Sequence, residues 1–162
     1  MKSSFLDSVI SNSVYLGYFQ INENDTMTFE TFHRKPSGQR NKKFFDSLGD
    51  IVYFMLVRGK LMKIYKAAGL QGWYGRISTY QMGSKADQTN KMIINKIREM
   101  NEDRIDIVAI KAPRVMSTIK CPVTNKQIKI ELETAAQLER LLANQYLNEM
   151  NVNSLPFCSQ VG

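Results

Sequence analysis

The chain has 162 residues, 43% of them apolar, enough for one substantial hydrophobic core and too few for two. Its 22 Lys and Arg against 15 Asp and Glu leave a net charge of +7, which favours an anionic partner such as nucleic acid over an acidic small molecule. With two cysteines, Cys121 and Cys158, lacking any CxxC spacing, and one histidine, His33, the composition excludes zinc fingers, His-dependent metallohydrolases and Ser-His-Asp triads.

The opening MKSSFLDSVISNSVYLGYF has neither the apolar core nor the cleavage pattern of a signal peptide, and no run reaches the ~18 apolar residues of a membrane span. The expectation is a soluble cytoplasmic protein with free thiols. A short helix is expected around Phe5 to Ile10, then two strand-like runs, VYLGYFQI and TMTFETFH, separated by the turn-rich NENDT. RKPSGQRNKK follows, a loop or flexible arm carrying Arg34, Lys35, Arg40, Lys42 and Lys43, which reads equally as a solvated linker or as a set of phosphate contacts.

DIVYFMLVRGKLMKIYKAAG, from Asp50 to Gly69, is a hairpin folded about Arg58-Gly59. Strict alternation puts Val52, Phe54 and Leu56 on one face and Tyr53, Met55 and Val57 on the other. On the second strand Leu61, Lys63 and Tyr65 share a face, opposite Met62, Ile64 and Lys66, so Tyr53 and Lys63 can project from neighbouring strands. GWYGRISTYQMG leads into a helix that stops near Gly83. The next helix takes Thr89 as its N-cap and carries Met92, Ile93, Ile97 and Met100 at helical spacing.

RIDIVAIKAP is a buried strand ended by Pro113, and RVMSTIKCPVTNKQIKIELE a second hairpin bearing Lys120, Lys126 and Lys129. Thr134 and Gln137 form a capping box for a final helix, Ala135 to Met150. The order of strand, strand, helix, helix, strand, insertion and helix, without internal repeats, indicates an α+β domain. Residues 1–45 read as an N-terminal extension with a basic arm, and residues 46–162 as a core carrying an inserted hairpin at about 114–133.

On the last helix Ala135, Leu138, Leu141, Leu142, Tyr146 and Met150 form one apolar sector, and Glu139 falls inside it. Ala135, Leu142 and Ala143 occupy the neighbouring helical positions, so no opposite charge pairs with this carboxylate along the helix. A partly desolvated acid needs a cation, a metal or a proton, unless it lies at the sector's edge and reaches water.

The ordered set Val52-Tyr53, Lys63-Ile64, Arg76 with Tyr80 four residues later, and Glu139 in a late helix resembles the GIY-YIG nuclease superfamily. Lys63 in place of the first tyrosine of YIG is similar to the KIG variant of compact type II restriction enzymes. The resemblance implies a core of antiparallel hairpin, helices, third strand and C-terminal helix. It implies hydrolysis of phosphodiester bonds in double-stranded DNA with Mg²⁺ or Mn²⁺, and a homodimer for symmetric cleavage. Tyr53 would be the base, its phenolate favoured by the Lys63 ammonium; Arg76 and Tyr80 would contact phosphate or water, and Glu139 would be the one protein ligand of the metal. Lys66 joins the arm and hairpin cations as an expected DNA contact. Ile51 and Val52 stand where GIY has glycine and isoleucine, and Tyr65 where YIG has glycine. Tyr65 as the second functional tyrosine, with Lys63 reduced to a phosphate contact, stays open, as do a non-catalytic DNA-binding module and a structural protein that binds an acidic partner.

Overall fold

The computed structural model describes residues 3–85 and 87–158. Five strands form one antiparallel sheet in the order β2-β1-β5-β3-β4: β1 Val14–Ile21, β2 Met27–Glu30, β3 Ile51–Val57, β4 Lys60–Ala67 and β5 Arg104–Lys111. Helices α2 Lys42–Ser47, α3 Gly72–Gln81 and α4 Gln88–Glu99 cover one face through Phe45, Trp73, Ile77, Tyr80, Ile93 and Ile97. Helices α1 Ser4–Asn12 and α5 Ala135–Met150 cover the other through Val9, Ala135 and Tyr146. A two-stranded hairpin, β6 Val115–Lys120 and β7 Gln127–Leu132, is inserted between β5 and α5. The class is α+β, with the expected hairpin, helices, third strand and C-terminal helix.

β3 is buried at all seven positions, which accounts for its uninterrupted apolar run: a strand covered on both faces has no side to leave polar. It turns into β4 through Arg58 and Gly59, with φ of 50° and 75°, the double positive-φ geometry of a type I′ hairpin. Strict alternation fails on β4. Met55 pairs with Lys63 and Leu56 with Leu61, so Met62 is an extra residue, a β-bulge. Leu61 therefore packs with Phe54 and Val52, while Met62 joins Tyr53 and Met55 on the α3 side, where Lys63 also points.

The segment expected as an extension supplies two strands of this same sheet. β1 pairs with β5, and the Glu149 carboxylate of α5 accepts from the hydroxyls and amides at the start of α1, an acid placed on a helix N-terminus. The basic segment is no free arm. Arg34 and Arg40 close a tight turn as a bridge pair, and Asn41 caps α2, a helix absent from the sequence reading that begins with Lys42 and Lys43. Arg34 donates to the carbonyls of Thr31 and Gly38, and Arg40 to the Phe29 carbonyl and, at 2.7 Å, to Gln81 Oε1.

Two caps also differ from expectation. Asp87, not Thr89, caps α4 by accepting from the Asn90 amide, because its carboxylate reaches the first free N–H groups of the helix. Thr134 makes no side-chain cap; its hydroxyl donates to the Pro113 carbonyl at 2.6 Å and ties α5 to the end of β5. Gly83, at φ 61°, stops α3 as expected, and a Cβ there would collide with the Asp25 carbonyl. On α5 Leu141 is exposed, outside the packed sector.

The β6–β7 hairpin stands on a fixed base, where Arg114 grips Asp50 with two hydrogen bonds of 2.7 and 3.2 Å. Beyond it, Val115, Ile119, Ile128 and Leu132 share one face and remain 39–48% exposed. After α5 the chain returns along β4: the Phe157 amide donates to the carbonyl of the bulged Met62, and the Phe157 ring is fully buried. Among the described residues no helix is long and apolar enough to cross a membrane.

Candidate active site

A cavity of about 340 Å³ opens beside β4, the edge strand, and is lined by Lys63, Tyr65, Arg76, Tyr80 and Glu139 together with Asp87, Asn90 and Phe157. Three elements meet there. The bulge aims Lys63 toward α3; Arg76 and Tyr80, four residues apart, lie on one face of α3; and α5 brings Glu139 from the other side of the sheet. β-Bulges re-aim side chains in this way beside functional sites.

Lys63 Nζ donates to the Tyr80 hydroxyl at 3.3 Å, and the Tyr80 and Tyr53 hydroxyls share a hydrogen bond of 2.6 Å. The lysine thus pairs with Tyr80, not with Tyr53 as expected, because Tyr53 lies one layer deeper. Tyr53 is 0% exposed and absent from the cavity wall. Burial, reinforced by Tyr80, pushes its hydroxyl well above the ordinary tyrosine range. Burial also raises Tyr80, to about 12, although the Tyr53 hydrogen bond and Arg76 both favour its ionised form. Of the two phenols, Tyr80 is the one that faces the cavity.

Burial lowers the Lys63 ammonium below the ordinary lysine range. Neither Lys63 nor Arg76 has a carboxylate within 4 Å among the described residues; both lie over the Tyr65 ring, at 4.7 and 4.8 Å from its centroid. Glu139 is likewise without an ion-pair partner there. Burial raises its carboxyl, and the nearby charges of Lys66, Lys63, Arg140 and Arg76 pull it back. The described residues hold no group of three His, Cys, Asp or Glu suited to a metal, so the cavity offers Glu139 and the helix-capping Asp87 rather than a cage. That donor set fits a largely hydrated Mg²⁺, which takes one or two carboxylates and completes its shell with water and substrate oxygens.

The remaining sequence-predicted cations, Arg34, Lys35, Arg40, Lys42, Lys43, Lys66, Lys120, Lys126 and Lys129, do not line the cavity. Lys66 pairs with Glu133 at 3.4 Å and Lys42 with Asp46 at 2.6 Å, while Arg34 and Arg40 are held by backbone carbonyls. Three wall residues escaped the sequence reading. Asn90, 1% exposed, donates to the Thr79 carbonyl and locks α4 onto α3; nothing in its sequence context marks it. Asp87 stands beside it at the helix start. Phe157 lies in LPF, an apolar cluster after the last helix that could have signalled a docked tail.

No family model and no curated protein matches the chain. Among the solved structures that share its fold are two endonucleases. Restriction endonuclease HPY188I in complex with product DNA aligns with a TM-score of 0.52 at 13% identity, over 96% of this chain and 84% of that one. A mutant of bacteriophage T4 EndoII aligns with a TM-score of 0.57 at 10% identity, over 89% of this chain and 96% of the other.

Proposed function

We propose that this protein is a Mg²⁺-dependent DNA endonuclease of the GIY-YIG type, carrying the KIG variant and cutting double-stranded DNA at specific sites as a homodimer. The observation that carries this reading is the cavity itself, where two cations without carboxylate partners meet a phenol and an unpaired carboxylate on one open wall. Cations and phenol suit a phosphodiester. The carboxylate argues for catalysis, since phosphate binding alone gains nothing from an added negative charge. The fold shared with an endonuclease seen on product DNA supports the same reading.

In this proposal Arg76, with its planar fork of donors, and Lys63 bind the scissile phosphate. Tyr80, the phenol that faces the cavity, takes the role that the sequence reading gave to Tyr53: after giving its own proton to solvent through the cavity, its phenolate, held by Tyr53 and Lys63, accepts the proton of the attacking water. Tyr53 acts through Tyr80. Glu139 would hold Mg²⁺, or Mn²⁺, which when bound neutralises charge on the phosphate and leaving oxygens. Lys35 and Lys43, exposed, and Lys120, Lys126 and Lys129 on the hairpin supply phosphate contacts, while Lys42, Lys66, Arg34 and Arg40 contribute charge from positions already tied to the fold. A single cavity of this kind cuts one strand, so duplex cleavage calls for a two-fold partner; the unpartnered apolar face of β6–β7 supports such an assembly.

The test is incubation of purified protein with unmethylated genomic DNA in Mg²⁺ or in EDTA. Discrete metal-dependent fragments are expected. A smear would indicate a degradative nuclease, and salt-sensitive binding without cutting a non-catalytic module.

A further inference from the structure

Tyr65 stands where the resemblance has glycine, and its surroundings give it a use. The Lys63 ammonium and the Arg76 guanidinium both lie within 4.8 Å of its ring centroid. The ring is fixed in turn by an edge-on contact with Tyr53, at 6.2 Å and 69°. The Tyr65 hydroxyl makes no hydrogen bond among the described residues. Two cations converging on one cavity repel each other, and a carboxylate between them would relieve that repulsion but cancel the charge an anion needs. The negative face of an aromatic ring relieves it without cancelling the charge.

We infer that Tyr65 is a positioning residue whose ring, not its hydroxyl, holds Lys63 and Arg76 in place to receive a phosphate group. Its strand position serves this use: Tyr65 and Lys63 are two apart on β4 and share a face, and Tyr65 pairs directly with Tyr53. The catalytic part of the inference rests on the nuclease reading. The placement of the two cations does not.

Tyr65→Phe and Tyr65→Leu separate ring from hydroxyl, with folding of each verified by thermal melting. In single-turnover cleavage of a DNA duplex, Tyr65→Phe is expected to keep at least about a third of the wild-type rate, while Tyr65→Leu slows by roughly 10- to 100-fold. Duplex affinity should change less than the rate in both. A DNA-free arm follows the ¹⁵N resonance of Arg76 Nε during titration with inorganic phosphate. Wild type and Tyr65→Phe should show the same starting position and the same response, and Tyr65→Leu a displaced resonance with a weakened response. A Tyr65→Phe variant as slow as Tyr65→Leu would overturn the inference in favour of the hydroxyl. An unmoved Arg76 resonance in Tyr65→Leu would overturn it whether or not the protein cuts DNA. Absence of cleavage by wild type would sink the nuclease reading alone and leave the resonance to decide.

Discussion

The hydrogen bond between Tyr53 and Tyr80 makes an unusual demand on a pair of tyrosine-to-phenylalanine changes. Tyr53 is 0% exposed, and the Tyr80 hydroxyl, at 2.6 Å, is its one hydrogen-bond partner among the described residues. Tyr80→Phe strands that buried hydroxyl, at a cost of about 1–3 kcal/mol, and also takes from Lys63 its acceptor at 3.3 Å. Adding Tyr53→Phe removes the stranded group, and exchanging both partners of a buried pair for apolar groups of the same shape is close to neutral. The double variant should therefore be more stable than Tyr80→Phe alone. With a urea m-value of about 2 kcal/mol/M, a recovery of about 1–2 kcal/mol moves the unfolding midpoint back by roughly 0.5–1 M. Single-turnover cleavage should follow a different order: Tyr80→Phe and the double variant lose activity together, and Tyr53→Phe keeps part of it because the acceptor remains. Stability losses that simply add, with the double variant the least stable of the three, would refute the buried relay.

Lys63→Met removes a donor to the Tyr80 oxygen, so the phenolate becomes harder to form and the pH–rate profile should move to higher pH; an unshifted profile at near-normal rate would break the proposed coupling. Neutralising Lys120, Lys126 and Lys129 to Gln should flatten the dependence of log DNA affinity on log salt by roughly three units if all three contact phosphates, and an unchanged slope would mark the hairpin as a bystander. The Arg114 guanidinium holds the Asp50 carboxyl below its ordinary range, so this pair contributes stability above pH ~4 that is lost as pH falls through the lowered folded value. Arg114→Ala should be less stable than wild type near neutral pH, with the gap narrowing as pH falls below ~4, as read by thermal melts across acidic pH; denaturation curves of identical pH dependence would contradict that.

The central hairpin was legible because a strand covered on both faces has to be apolar throughout, and Ile51 to Val57 is. Glu139 was legible as an acid with no helical partner, and the structure brings it to the cavity. What the sequence could not carry is depth and register. Alternation counts residues two by two and cannot see the extra Met62, so it misplaced Leu61. Tyr53 and Tyr80 look equivalent as phenols, and only tertiary packing sets Tyr53 behind the cavity wall and Tyr80 on it. The Arg34 to Lys43 segment has the composition of a loop, but the Phe29 carbonyl of β2 and Gln81 on α3 hold Arg40 from outside the segment. The tail at Phe157 depends on a partner nearly a hundred residues away, the Met62 carbonyl, which is free to accept from it.

The most direct measurement compares wild type and Glu139→Ala on supercoiled plasmid with Mg²⁺, alongside binding of a short duplex by each. The account predicts metal-dependent cleavage by wild type, no detectable cleavage by Glu139→Ala, and duplex affinity in the variant equal to or above that of wild type, since one phosphate-repelling charge is gone. Cleavage by Glu139→Ala at the wild-type rate, or cleavage by wild type that persists in EDTA, would contradict it.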